Sequence, residues 1–277
     1  MFRSKIVKTA RYAAALAILF IFATWYNGAI FITGRDAAAH GYPFLVSVQR
    51  WNETTASWVH TASGILVHGK KVVTAARVCT AFRDYNDIVR CSLGRHNLEE
   101  EEQSTVNINV SSYHCHDKFS QSPCRHDICL LNLAEKISRF TPWMMRAPFS
   151  FAHGLPFPGN CRLPGWGSSM EHNETYSPIL QEGHIVPLTP FECKTLDPEI
   201  FEFNWCAYGQ EYPGPGDNGS PLICRAQSLW SNDQVVAMHS CGMPEIPGKK
   251  RLSYYLNLAY YRPFITADPV PNQCRID

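Results

Sequence analysis

The chain carries almost no net charge: 25 lysines and arginines stand against 24 aspartates and glutamates, a formal balance of +1 over 277 residues. That removes the electrostatic case for nucleic acid or an acidic membrane surface as a partner. The longest apolar run, Tyr12 to Trp25, is roughly 14 residues, short of the about 20 that a bilayer-crossing helix needs. Long helical periodicity is also missing, with the closing segment Leu252 to Ile265 as the one exception. The 11 cysteines are an odd number, so they cannot all pair within one chain.

What is present points to strands. Hydrophobic residues make up 45%, and 19 prolines and 17 glycines punctuate short runs rich in valine, isoleucine and tyrosine. The reading is all-β with a helix at the C-terminus, in a length that allows one large or two small domains. At the N-terminus Arg3, Lys5, Lys8 and Arg11 precede the apolar run, and Asn27, Gly28 and Ala29 follow it, which reads as a cleaved secretory signal over residues 1–29. A retained anchor is the alternative, because Ala29 to Ile32 extends the apolar stretch. Cysteines in a secreted chain imply disulfides, and Cys79 with Cys91 and Cys115 with Cys124 are candidate local pairs. Asn52, Asn109 and Asn173 head glycosylation sequons; a fourth, Asn218, is expected to be too buried for modification. The runs Glu99 to Glu102 and Lys249 to Arg251 read as solvated loops.

Several motifs occur in a fixed order. Phe31-Ile32-Thr33-Gly34 and Gly41-Tyr42-Pro43-Phe44-Leu45-Val46-Ser47 are followed by Ser63-Gly64-Ile65-Leu66 and Val73-Thr74-Ala75-Ala76-Arg77. Then come His126-Asp127-Ile128-Cys129-Leu130-Leu131, Gly165-Trp166-Gly167, and Gly216-Asp217-Asn218-Gly219-Ser220-Pro221, with Tyr261-Arg262-Pro263-Phe264-Ile265 at the end. In this order they resemble the trypsin/chymotrypsin-like serine proteases over residues 31 to 265, in the form of a catalytically inactive, single-domain homologue like those of insects.

The resemblance implies two six-stranded antiparallel β-barrels, about 30–140 and 158–255, within a domain over 30–267 followed by a tail over 268–277. They join near Phe140 to Pro158, with the site in the cleft between them. It places Arg77, Asp127 and Asn218 at the triad positions, Gly216 and Asp217 in the oxyanion loop, and Tyr212, Ser240 and Gly242 around the specificity pocket. It also implies bridges Cys161–Cys224 and Cys193–Cys206, and shows Ala62 and Val78 where the bridge of the histidine loop would be. Cys129, Cys241 and Cys274 stay unassigned. Active relatives carry a glutamate for calcium where this chain has Arg95, so no metal is expected, nor any cofactor. No basic residue precedes Phe31 for activating cleavage.

The chemistry at these positions decides the expected function. A guanidinium stays charged at any working pH and cannot accept a proton as a base. An asparagine amide has no ionisable proton to lose on the way to becoming a nucleophile. The expectation is therefore a secreted, extracellular serine protease homologue without peptidase activity, binding an extracellular polypeptide such as an active protease or its substrate. It would act as regulator or cofactor in a protease cascade, immune or reproductive. An enzyme with a rewired site and a structural glycoprotein are the alternatives. Arg77 is further expected to pair with a buried Asp127.

Overall fold

Alternating residues in Leu45-Val46-Ser47-Val48-Gln49 build a strand that is buried on both faces. Val46 and Val48 enter the apolar core. Ser47 lies 2.8 Å from His60 Nδ1, and Gln49 accepts from Arg90 Nε at 2.8 Å, so the polar side chains of this strand are hydrogen-bonded where they are buried. The structure, a computed structural model, describes residues 34–85, 88–122, 124–151, 161–167, 176–207, 213–225, 232–242, 252–267 and 274. All of them fall in one compact unit, Ile32–Asp277.

The first sheet is a closed antiparallel barrel of β2 (Leu45–Asn52), β3 (Ser57–His68), β4 (Lys71–Thr74), β7 (Cys129–Leu133), β6 (Val106–Cys115) and β5 (Val89–Leu93), in that spatial order. Gly64 lets β3 pass close to β4, because a Cβ there would stand 2.7 Å from Val72 Cγ1. The second sheet runs β1 (Arg35–Asp36), β9 (Gln181–Ile185), β8 (Cys161–Gly165), β11 (Pro221–Arg225), β12 (Asp233–Gly242), β13 (Ser253–Asn257), β10 (Asn204–Ala207). Apart from the two-residue β1 it holds six strands. The chain after β9 returns to β10 through a bridge between Pro187 and Ala207 and a 2.9 Å bond from Leu188 N to Cys206 O. The all-β class with two six-stranded units and a helix at the end therefore holds.

Among the described residues three helices join the sheets: α1 (Ala76–Tyr85), α2 (Pro190–Leu196) and α3 (Arg262–Thr266). The helical reading of Leu252 to Ile265 is corrected in extent. Ser253 to Asn257 pair with β12 on one side and β10 on the other, and only the last five residues coil, with Pro263 in the first turn. Helix α2 starts at a capping box, in which the Thr189 side chain accepts from Glu192 N and Glu192 reaches back to Thr189 N.

The disulfides confirm two expected pairs and correct two others. Cys161–Cys224 joins directly opposed residues of β8 and β11, and Cys193–Cys206 ties α2 to β10. The candidates Cys79–Cys91 and Cys115–Cys124 do not form. Cys91 is a buried free thiol on β5, whereas Cys79 on α1 bonds Cys129, because α1 leaves β4 beside the strand that carries Cys129. Cys115 bonds Cys274 from the C-terminal tail, and Cys124 bonds Cys241 of β12. Spacing along the chain misled here because the partners are brought together by the barrels rather than by local turns.

Candidate functional site

Asp127 lies in the segment between β6 and β7 and is fully buried. The preceding residue, His126, has φ of 47°, a left-handed conformation, so the two do not follow one another along a strand. This turn sends Asp127 inward and leaves the His126 ring stacked on His116, 4.4 Å between centroids, with its Nδ1 3.0 Å from the Tyr261 hydroxyl.

Three donors meet the Asp127 carboxylate. Arg77 donates through Nε to Oδ2 at 2.6 Å and through its backbone N–H to Oδ1 at 3.0 Å. Ser240 donates through Oγ to Oδ2 at 2.8 Å. Because Arg77 is in the first turn of α1, the carboxylate also satisfies one of the orphan amides of that helix and sits at the positive end of its dipole. Ser240 is aimed by a β-bulge: β12 is out of register with β13 between His239 and Cys241, which leaves Ser240 as the extra residue. Ser240, expected at the pocket, is thus placed on Asp127. Gly242 lines a separate cavity beyond it, and Tyr212 lies outside the described residues.

Asn218 is held by its backbone. Its carbonyl accepts from Ser63 N at 2.9 Å, and the loop is anchored by Gly219 N to His239 O at 2.9 Å and Ser220 N to Asp217 O at 2.9 Å. Gly219 has φ of 87° and passes so near β3 that a Cβ would lie 2.2 Å from Ser63 O. Gly216, also at positive φ, turns its carbonyl toward His60 Nε2 at 3.2 Å. Asp217 is buried between the two glycines of Gly165-Trp166-Gly167, where added Cβ atoms would stand 2.0 and 2.2 Å from its carboxylate. It accepts from Gly167 N at 2.8 Å and Gly214 N at 3.0 Å. Burial raises its pKa to about 6 against the pull of those two amides. Burial also lowers His60 to about 4 and, with Arg77 nearby, His239 to about 3, so both imidazoles are neutral at pH 7.

The chemistry available follows from this inventory. In the cluster, the group facing Asp127 is a guanidinium, and the half-buried side chain at the nucleophile position of the loop is an amide. Ser220 is fully buried. A hydroxyl–imidazole pair does occur, Ser47 with His60, but both are buried and neither lines the cleft.

The cleft is a cavity of about 600 Å³ walled by Arg50, Arg77, Val78, Ala81, Phe82 and Asn218, among others. The bridge Cys124–Cys241 runs from the segment between β6 and β7 to β12 of the second sheet, with Arg77 Nη2 3.2 Å from Cys124 Sγ. Neither this staple nor the part of Arg50 was foreseen from the sequence. Cys241 stood unassigned, and Cys124 was read with Cys115 instead. The remaining predicted positions lie elsewhere. Asn109 is exposed on β6, while Asn52 at the end of β2 accepts from Thr54 N and Thr55 N, and Asn173 is outside the described residues. Arg95 donates through Nη1 to the carbonyls of Leu98, at 2.8 Å, and Glu100, at 3.2 Å, so a guanidinium gathers the loop.

The chain is similar in sequence to known proteins. The family model described as Trypsin matches residues 31–265. Chymotrypsin-C of Bos taurus is 29% identical over 217 residues, covering 76% of this chain and 78% of its own length. Chymase of Canis lupus familiaris is 26% identical over 240 residues, 84% of this chain and 88% of its own, and mast cell protease 2 of Meriones unguiculatus is 28% identical over 211 residues, 75% and 81%. With a family match across most of its length and both barrels in place, the chain belongs to the trypsin family.

Proposed function

We propose that this member of the family is a secreted serine protease homologue that binds polypeptide without cleaving it. In this reading Arg77, Asp127 and Asn218 are vestiges of a triad, and the protein acts as regulator or cofactor of an extracellular protease cascade, immune or reproductive. The observation that carries it is the Arg77–Asp127 pair. A carboxylate that would orient an imidazole base is instead consumed by a permanent cation and a serine hydroxyl. Asn218 beside it offers nothing to deprotonate. Losing both base and nucleophile removes the groups on which acyl transfer depends. Secretion is supported by the five bridges, which form and persist in oxidising compartments, and by the basic and apolar N-terminal segment. Among the described residues no helix is long and apolar enough to cross a membrane.

The test is a fluorophosphonate probe and a broad peptide library applied to the purified protein before and after trypsin. Silence in both is expected, and N218S should stay unlabelled for want of a base. Cleavage that survives repurification and vanishes in S220A or N218A would establish a rewired enzyme.

A further inference from the structure

Two cavities of opposite charge share a lining residue, Gln121. One is the 600 Å³ cleft with Arg50 and Arg77 and, among its described lining residues, no carboxylate. The other is a cavity of about 250 Å³ that carries Asp197 and Glu199 and includes Gly242. In the cleft, Arg77 is already neutralised by Asp127. Arg50 is not: it projects from β2, and among the described residues it has neither an ion pair nor a hydrogen bond. The side-chain amides of Asn218 and Gln121 likewise have no partner among the described residues. Val78, Ala81 and Phe82, at i, i+3 and i+4 on α1, give the same cavity an apolar part of its lining.

We propose that this cleft docks a partner segment in which an acidic side chain is flanked by apolar residues. The carboxylate meets Arg50, with Asn218 and Gln121 able to donate to it, and the apolar neighbours lie along α1. A guanidinium without a partner among the described residues, in a cleft whose described lining holds no carboxylate, favours an anionic guest, and the acidic cavity across Gln121 repels the same guest. This inference rests on the non-catalytic reading and deepens it, since it names the class of polypeptide bound.

The experiment titrates the full secreted chain with three fluorescein-labelled hexapeptides, acetylated and amidated, with leucines around a central Glu, Gln or Lys. A fourth probe is the Gln peptide with a free C-terminal carboxylate. The Glu peptide should bind about tenfold more tightly than the Gln peptide. That ratio should fall to about one in R50A and R50Q and persist largely in R50K, with melting temperatures checked to show that each variant folds. Equal binding of Glu and Gln peptides, no binding of either, a Glu preference that survives in R50A and R50Q, or capture only of the free C-terminal acid would each overturn it. Mass spectrometry of the recovered peptide separates the two levels. Cleaved peptide overturns the non-catalytic reading and this assignment with it, whereas intact peptide bound without regard to Arg50 overturns this assignment alone.

Discussion

Arg77 holds Asp127 twice, through the guanidinium Nε at 2.6 Å and through its own backbone amide at 3.0 Å, so side chain and helix start are fixed by one carboxylate. Asp127 is fully buried and the Arg77 side chain is 21% exposed. Removing the guanidinium strands a buried negative charge, a loss of about 3 kcal/mol and a drop in melting temperature of about 6–12 °C for a domain of this size. R77A measured by thermal unfolding checks this. R77K should recover only part of the loss, because an ammonium cannot reproduce the fork, and an unchanged melting temperature in R77A would mean the pair contributes nothing.

Stability should rise between pH 4 and 6.5. His60 and His239 have folded pKa values of about 4 and about 3, below the ordinary 6.5, so unfolding takes up protons there and their contribution is lost as pH falls through this window. Asp217 works the other way. Its folded value of about 6 lies above the ordinary 3.8, so its contribution is present at low pH and fades as pH climbs through 6. Two histidines outweigh one aspartate, and each net proton is worth about 1.4 kcal/mol per pH unit. Urea unfolding across this range should show the rise, and D217N should steepen it by about one proton.

The glycines beside Asp217 should tolerate no methyl. In G167A a Cβ would stand 2.2 Å from the carboxylate, and in G165A 2.0 Å, both far inside contact distance. A loss above about 3 kcal/mol is expected for each, with D217A/G167A less damaging than the sum of its parts. Additive losses in that cycle would show that the crowding is relieved some other way.

Peptide mapping under non-reducing conditions should recover the five bridges with Cys91 as the free thiol. Burial raises the Cys91 thiol well above its ordinary range, so iodoacetamide should label it only after unfolding. Labelling in the native state would place Cys91 at the surface.

What the sequence disclosed and what it hid divide along a physical line. The fold class, the place of the triad positions and the pairs Cys161–Cys224 and Cys193–Cys206 were legible through the family resemblance, which brings long-range geometry with it. The Arg77–Asp127 contact was expected from charge and burial, and the structure places the two together. Helix α2 was written in Thr189-Pro190-Phe191-Glu192, a capping box that went unread. The bulge that turns Ser240 toward Asp127, the bridge Cys124–Cys241 and the unpaired Arg50 were not legible. Each depends on register or on contacts between segments distant in sequence, which leave no periodicity in a single chain.

The connectivity of the bridges also orders assembly in time. Cys115 and Cys124 belong to the first barrel, yet their partners are Cys274 and Cys241, 159 and 117 residues further on. Since a chain emerges N-terminus first, the first barrel can shape itself on synthesis but cannot be sealed until Cys241 and Cys274 have followed. A truncated product would leave those two thiols without partners, a chemical mark by which incomplete molecules differ from finished ones.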